Sequence, residues 1–258
     1  MRISVLSHAA NRPRDMVNGF RACFEGQTEK PAEIIVVEQG IWNKCEMVNE
    51  AARQASGEWY FVSDIDNRYD DSVMPQLVRH CRSGHDATFF KNVIEMKGGY
   101  ALDGAEGESK RRWAFTAVLV SADLWRRIGG FDTRYRRWGW MDLDFYQSCL
   151  KFGSVQVDSE TPVISLWHPT WKIWAYNKLG EPQCFIDHRM LQQDMWLYRM
   201  TLPSSKAVVE KWKDSASSNL VDIFKAWDEN RRVYESKWPE ERERIRAKYL
   251  NQLSEDTY

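Results

Sequence analysis

The residues with the plainest capacity for chemistry are two aspartates one position apart, in the run Ser63-Asp64-Ile65-Asp66 directly after the apolar stretch Trp59-Tyr60-Phe61-Val62. In a tightly turned segment two such carboxylates can converge on a hard cation. Mg²⁺ and Mn²⁺ prefer oxygen ligands of this kind and keep coordination positions open for phosphate. The same pair could instead cap the helix that follows. An EF-hand needs a third acidic or amide ligand and then glycine, and Arg68 and Tyr69 stand in those places. A phosphoaspartyl phosphatase would carry D-x-D-x-T on its first strand; here Arg68 replaces the threonine and the motif follows the third strand. Neither a Walker loop nor a G-x-G-x-x-G after a strand is present, so the usual nucleotide cradles are absent.

A second acidic group lies far along the chain, Asp142 and Asp144 within Trp138-Gly139-Trp140-Met141-Asp142-Leu143-Asp144-Phe145. A carboxylate there can take a proton from an attacking hydroxyl. At a helix start it can also serve only the helix dipole. His168, delivered by Val163-Ile164-Ser165-Leu166-Trp167, is either an imidazole ligand or a core histidine. Trp138, Trp140, Trp167, Trp171 and Trp174 concentrate part of the chain's 13 tryptophans. Flat aromatic faces can stack on sugar rings, although core packing is their commoner use.

These residues need elements to place them. Ile3 to Leu6 reads as a short buried strand, and Asn11-Arg12-Pro13 opens a helix reaching about Glu25. Glu33 to Glu38 reads as a second strand, continuously apolar as central parallel strands are, and a helix from about Asn43 to Ala55 follows. Trp59 to Val62 is the third strand. Alternation of this kind predicts a right-handed α/β sheet, whose ligands bind beyond the carboxyl ends of the strands, where Asp64 and Asp66 fall. Further on come a helix near Asp71 to Arg82, strands near Ala87 to Asn92 and Phe115 to Val120, and a short helix from Ala122 to Ile128 stopped by Gly129-Gly130. Another helix begins in the Trp138 to Phe145 run and reaches about Phe152, followed by strands at Val155 to Val157 and Val163 to Trp167. Glu95 to Arg112 is Gly-rich and charged without periodicity, which predicts a mobile surface loop. From about Ser204 the pattern is amphipathic helix.

Composition bounds the rest. The chain's 258 residues can bury a real core. Its 36 Lys and Arg nearly cancel 37 Asp and Glu, leaving a net charge of −1. That balance argues against a nucleic-acid partner or a polybasic membrane anchor. Hydrophobic content of 43% with 28% charged residues excludes disorder and collagen. No apolar run approaches the ~20 residues that cross a bilayer, and the first residues are too short for a signal-peptide core, so a cytoplasmic protein is expected, with contact at the inner face of the membrane left open. Five cysteines, odd in number and without C-x-x-C, read as reduced thiols.

The order of these pieces resembles a family. Ile34-Ile35-Val36-Val37-Glu38-Gln39, Asn43-Lys44, Asn49-Glu50-Ala51 and Tyr60 to Asp66 are similar to the nucleotide-binding half of GT-A glycosyltransferases, nearest to family 2 and the β-1,4-galactosyltransferase type. Gly129-Gly130-Phe131-Asp132 and the Trp138 to Phe145 run resemble their acceptor-side signature. The resemblance implies a GT-A domain over residues 1–180, a Rossmann-like mixed sheet flanked by helices, with a helical extension over 181–258. It implies transfer of a hexose-type sugar from a nucleotide diphosphate donor, UDP first and GDP second, to a hydroxyl of a glycan or glycolipid, with inversion. Carried over, Glu38 contacts base or ribose, and Asp64 the ribose and metal. Asp66 and His168 would ligate Mn²⁺ or Mg²⁺, Asp142 would be the catalytic base, and Trp138 and Asp144 would lie on the acceptor side. Two positions depart from the family: Met141 replaces the acid usual before the base, and Ser7-His8-Ala9-Ala10 replaces Pro-Thr-Tyr. The first departure motivates an alternative, an inactive GT-A domain that binds a sugar or partner; a phosphatase using Asp64 as nucleophile is a third reading.

Overall fold

A computed structural model describes residues 1–9, 12, 14–38, 43–96, 107–109, 116–136, 139–166 and 218–241. The chain divides into two compact units, Met1–Thr133 with Met141–His168, and Arg134–Trp140 with Pro169–Tyr258.

The first unit opens with β1 (Ile3–His8), α1 (Arg14–Glu25), β2 (Glu33–Val37), α2 (Lys44–Gln54) and β3 (Trp59–Ser63). Then come β4 (Asn67–Arg68), α3 (Val73–Cys81), β5 (Ala87–Phe90), β6 (Val93–Met96), β7 (Gly107–Ser109), β8 (Ala117–Ser121) and α4 (Ala122–Ile128). The unit closes with α5 (Met141–Phe152), β9 (Val155–Asp158) and β10 (Val163–Ser165). Local chemistry explains the helix ends. Asn43 caps α2, its side-chain oxygen accepting from the amides of Cys45 and Glu46, and Ser121 caps α4 by accepting from Leu124 N. Gly129 then leaves α4 in the left-handed conformation at φ 85°, which a residue without a β-carbon adopts freely.

Six strands form the main sheet in the order β2-β1-β3-β8-β5-β9. The β1, β2 and β3 strands run parallel, whereas β8 is antiparallel to both β3 and β5, so the sheet is mixed. The core between α1, α3 and the sheet is aromatic: Phe24, Phe61, Tyr69 and Phe90 meet edge-on or tilted, with centroids 5.3–6.1 Å apart. A smaller sheet has the order β4-β10-β6-β7, with β4 antiparallel to β10. The four described cysteines are free thiols.

Two expectations change. The apolar β2 is an edge strand, half-buried at every position. An apolar run reports covered faces and says nothing about which strand lies alongside. The segment expected to be one loop from Glu95 to Arg112 contains strand: Glu95 belongs to β6, and β7 pairs with it through Ile94↔Ser109, Glu95↔Glu108 and Met96↔Gly107. Backbone pairing of this sort leaves no apolar alternation behind. The strand expected over Ala87 to Asn92 is β5, which ends at Phe90; the chain leaves the main sheet at Lys91, whose amide bonds Asp158 O, and β6 of the smaller sheet begins at Val93.

In the second unit, α6 (Ser218–Lys237) holds the segment Arg134–Trp140. Asn230 and Tyr234 are buried on it and Trp238 just past its end, and Arg231 pairs with Glu235 one turn away at 3.1 Å.

Candidate active site

The parallel strands β1, β3 and β2 end together, and the chemistry-bearing residues gather just past those ends. Asp64 follows β3 immediately, and its amide donates to Thr116 O, ahead of β8, at 3.0 Å. The turn through Asp64, Ile65 and Asp66 closes when Asn67 N donates to Asp64 O at 3.1 Å. Asn67 also bonds Ser63 Oγ and Thr116 O through its carboxamide, while Ser63 Oγ shares a 2.6 Å contact with the buried Tyr69 hydroxyl. Arg68 ties the turn to α1: it donates to the carbonyls of Ile65, Asn67 and Met16 at 3.1, 2.9 and 3.0 Å. Burial depresses this guanidinium's pKa. Gly19 makes room for it, since a β-carbon there would stand 2.7 Å from Arg68 Nη2.

Lys44 organises the site. It is the first residue of α2, and its Nζ lies 2.8 Å from Asp64 Oδ1 and 2.8 Å from Asp142 Oδ1. Two carboxylates separated by 78 positions in the chain thus share one ammonium. Its side chain is 11% exposed, against 24% and 23% for the two aspartates. Burial works against the lysine's charge, yet Asp142 and Asp64 outweigh it and push its pKa up. Burial pushes the Asp64 carboxyl up to about 6, opposed by Lys44 and helped by the neighbouring Asp66 and Asp142.

His8 ends β1 in the same neighbourhood. Burial, then Lys44 and Arg12, press its imidazole down to about 3, with Asp66 pulling the other way. It is therefore neutral at ordinary pH, and its buried Nδ1 has no hydrogen-bond partner among the described residues. Glu38 follows β2 and is engaged by two arginines of α1, Arg14 Nη1 at 2.5 Å and Arg21 Nη2 at 3.8 Å.

Of the residues singled out by sequence, Asp64 and Asp142 meet directly at Lys44. Asp66 closes the same turn, and its carbonyl accepts from Leu166 N at 2.9 Å, so the chain that follows β10 departs from that point. His168, two residues further on, and Trp138 lie outside the described residues. Asp144 is 2% exposed, which leaves its carboxylate with no surface to offer an acceptor. Met141, at the position usually acidic in the family, is equally buried. Among the described residues no group of three or more His, Cys, Asp or Glu side chains forms a metal cage.

Sequence reasoning missed Lys44 as a functional residue. A signal was there: a lysine in the first turn of a helix opposes the helix dipole, and such a misfit needs nearby anions to offset it. Arg68, set aside as a mismatch to the EF-hand, is the brace of the turn.

No family model matches the chain, and no curated protein matches it by sequence. Solved structures do. S. aureus TarS 1–349 superposes with a TM-score of 0.51 at 13% identity, covering 64% of this chain and 60% of that one. The chain has the GT-A fold. The same S. aureus protein in complex with UDP matches at a TM-score of 0.51 and 14% identity over 66% of this chain and 61% of that one. With UDP-GlcNAc bound, the values are 0.50 and 12% over 65% and 59%. The GT-A chain described here thus spans about 60% of the length of the structures it matches. Among its described residues no helix is long and apolar enough to cross a membrane.

Proposed function

We propose that the protein is a metal-dependent glycosyltransferase that moves a hexose-type sugar from a nucleotide diphosphate donor to a hydroxyl of a glycan or glycolipid, with inversion at the anomeric carbon. The observation that carries this reading is the ammonium of Lys44, 2.8 Å from both Asp64 and Asp142. It joins a motif suited to a sugar diphosphate with a carboxylate suited to a proton, at one edge of the sheet. UDP is the favoured nucleotide and GDP the second, because the S. aureus neighbour is described with UDP and UDP-GlcNAc bound.

The hydroxyl that attacks the anomeric carbon must lose its proton as the new bond forms, and Asp142 takes it. Leaving of the diphosphate develops negative charge at the sheet edge. Lys44, held cationic by its two aspartates, stands ready to offset that charge. Arrival of a diphosphate gives the ammonium a third anion to choose from, and a shift of Lys44 towards phosphate releases Asp142 for its role as base. Asp66 supplies a hard oxygen ligand beside the diphosphate, and the bond from Leu166 N to Asp66 O brings the chain to within two residues of His168. Asp66 and His168 would be the ligands of Mn²⁺ or Mg²⁺, which when bound would serve as a Lewis acid for the leaving group. Glu38 remains the candidate for base or ribose, and Trp138 for the acceptor side. A glycolipid acceptor would call for peripheral contact with a membrane surface.

The test is free-nucleotide release from a panel of UDP- and GDP-sugars, with and without Mn²⁺, for the wild type and Asp66→Ala. Metal-dependent release from one donor, lost in the variant, is the expected result. Turnover unchanged by both Asp66→Ala and Asp142→Asn would defeat the reading.

A further inference from the structure

Arg68 is a buried cation that the fold keeps without an anion. It is 6% exposed, and among the described residues it forms no ion pair. Its guanidinium bonds backbone carbonyls instead: Nη1 donates to Ile65 O at 3.1 Å and to Asn67 O at 2.9 Å, and Nη2 to Met16 O of α1 at 3.0 Å. A charge taken out of water is costly, and an apolar side chain of similar bulk is often as stable or more so in its place. What holds the cation there has to be sought in what it holds.

Those bonds complete the backbone of the turn that carries the two aspartates. Asp64 O accepts from Asn67 N and from Ser63 Oγ, each at 3.1 Å, and Asp66 O accepts from Leu166 N at 2.9 Å. Ile65 O and Asn67 O, the two carbonyls between and after them, go to Arg68. Every carbonyl from Asp64 to Asn67 is thereby engaged, half of them by one side chain. The third bond, to Met16 O, ties this assembly to α1, where the bare Gly19 lets the guanidinium lie close. A planar fork can serve three acceptors at once, which a single ammonium on a flexible stem does not reproduce.

We propose that Arg68 is a positioning residue for the donor: without touching the nucleotide diphosphate, it holds the Asp64–Asp66 turn in the shape that receives the diphosphate, and so sets donor affinity before the donor arrives. The proposal rests on the glycosyltransferase reading above. A turn ordered during folding carries no ordering cost at the binding step, and the gain appears as affinity.

The experiment compares the full chain with Arg68→Lys, Arg68→Gln and Gly19→Ala. The lysine keeps the charge but reaches from one nitrogen, and the glutamine keeps a donor without the charge. The alanine displaces the guanidinium without removing it, and it decides the matter if the Arg68 variants do not fold. Affinity for UDP is measured by calorimetry in the presence of Mn²⁺, in the wild-type and the Asp66→Ala background. Amide hydrogen exchange is followed at Asp64 and Asn67, whose N–H groups close the turn, and at Lys91, whose N–H bonds Asp158 O elsewhere in the first unit. UDP affinity is expected to fall roughly tenfold in both Arg68 variants and about threefold in Gly19→Ala, with faster exchange at Asp64 and Asn67 and unchanged exchange at Lys91. In the Asp66→Ala background the same changes should cost less than about twofold, because the carboxylate they position is gone. Wild-type UDP affinity in Arg68→Lys, or an equal loss in both backgrounds with faster exchange at Lys91, would overturn the proposal. A wild type that binds no UDP would instead defeat the functional reading, and exchange at Asp64 and Asn67 would still decide whether Arg68 holds the turn.

Discussion

Asp158 and Asp64, two carboxylates of the first unit with basic partners, are treated in opposite ways. Asp158, at the end of β9, is saturated: His80 Nε2 lies 2.6 Å from Oδ2, Thr161 Oγ1 donates at 2.5 Å, and the amides of Glu160 and Thr161 donate to Oδ1 at 2.7 and 2.9 Å. Burial opposes its charge, but these bonds outweigh burial and hold the carboxyl well below the usual carboxylate range. Gln156 completes the cluster by donating to Ser83 Oγ and Thr88 Oγ1. Asp64 is left with a raised pKa, an acidic neighbour at Asp66 and a lysine it must share with Asp142. Asp158 has four donors, whereas Asp64 shares Lys44 with Asp142. Under the function proposed above, that contrast would make the strand ends near Asp64, rather than the His80 cluster, the working edge.

The strongest way to break the contrast is Asp142→Asn. If Asp142 is the base, kcat for transfer falls by about 10²–10⁴-fold, the usual range for a lost general base, while donor binding measured by calorimetry stays near wild type. An equal loss in both quantities would make Asp142 a binding residue. Lys44→Met comes next. It leaves Asp64 and Asp142 facing each other without a cation, and kcat/KM is expected to drop about 100-fold with thermal stability lower by about 2 kcal/mol. A fully active Lys44→Met would remove the central claim about the site.

Asp158→Asn probes the other member of the pair, and here only stability should respond. Loss of a charged acceptor with four donors costs about 2–3 kcal/mol at neutral pH, read from urea unfolding. The sign with pH follows from the depressed native pKa. The contribution is complete above the unfolded-state value of about 4 and is lost as pH falls through the lower native value, so the gap between wild type and variant narrows on acidification. A gap that widened towards acid would contradict the geometry. Gly19→Ala sharpens the comparison further, because it presses a methyl against Arg68 and leaves every carboxylate intact. A cost of about 1–3 kcal/mol in stability is expected from the overpacking. The smallest effect belongs to Arg14→Ala. Its pair with Glu38 is exposed, 75% and 32% at the two side chains, so stability should move by less than about 0.5 kcal/mol while any role of Glu38 in donor binding survives.

Much of this was legible in the chain itself, and the boundary is physical. The β1-α1-β2-α2-β3 order, the Asn43 cap and the turn at Asp64 are written in neighbouring residues, and local propensity and short-range bonds decide them. Lys44 was quoted only as part of a family pattern because its partners lie 20 and 98 positions away, and no periodicity records a shared ion. Asn230 was invisible for the same reason: its bonds reach Arg136 and Gly139 across more than 90 positions. The β7 strand escaped because glycine and charge were taken as signs of a loop, whereas its pairing is made by backbone alone. Asp144 was placed towards the acceptor on spacing from Asp142, but two residues along a helix point to different faces, and this one turns inward.

The smaller sheet carries a consequence for how such sequences drift. Its order, β4-β10-β6-β7, puts β7 at the outer margin and leaves β10 flanked by β4 and β6. The chain joining Met96 to Gly107 connects only that marginal pair. Residues can be gained or lost there over evolutionary time without altering the register of β10 against β4, and hence without moving Leu166 from Asp66. Length variation between homologues is expected to concentrate at this connection, while the segment from Asp64 to Arg68 keeps its length.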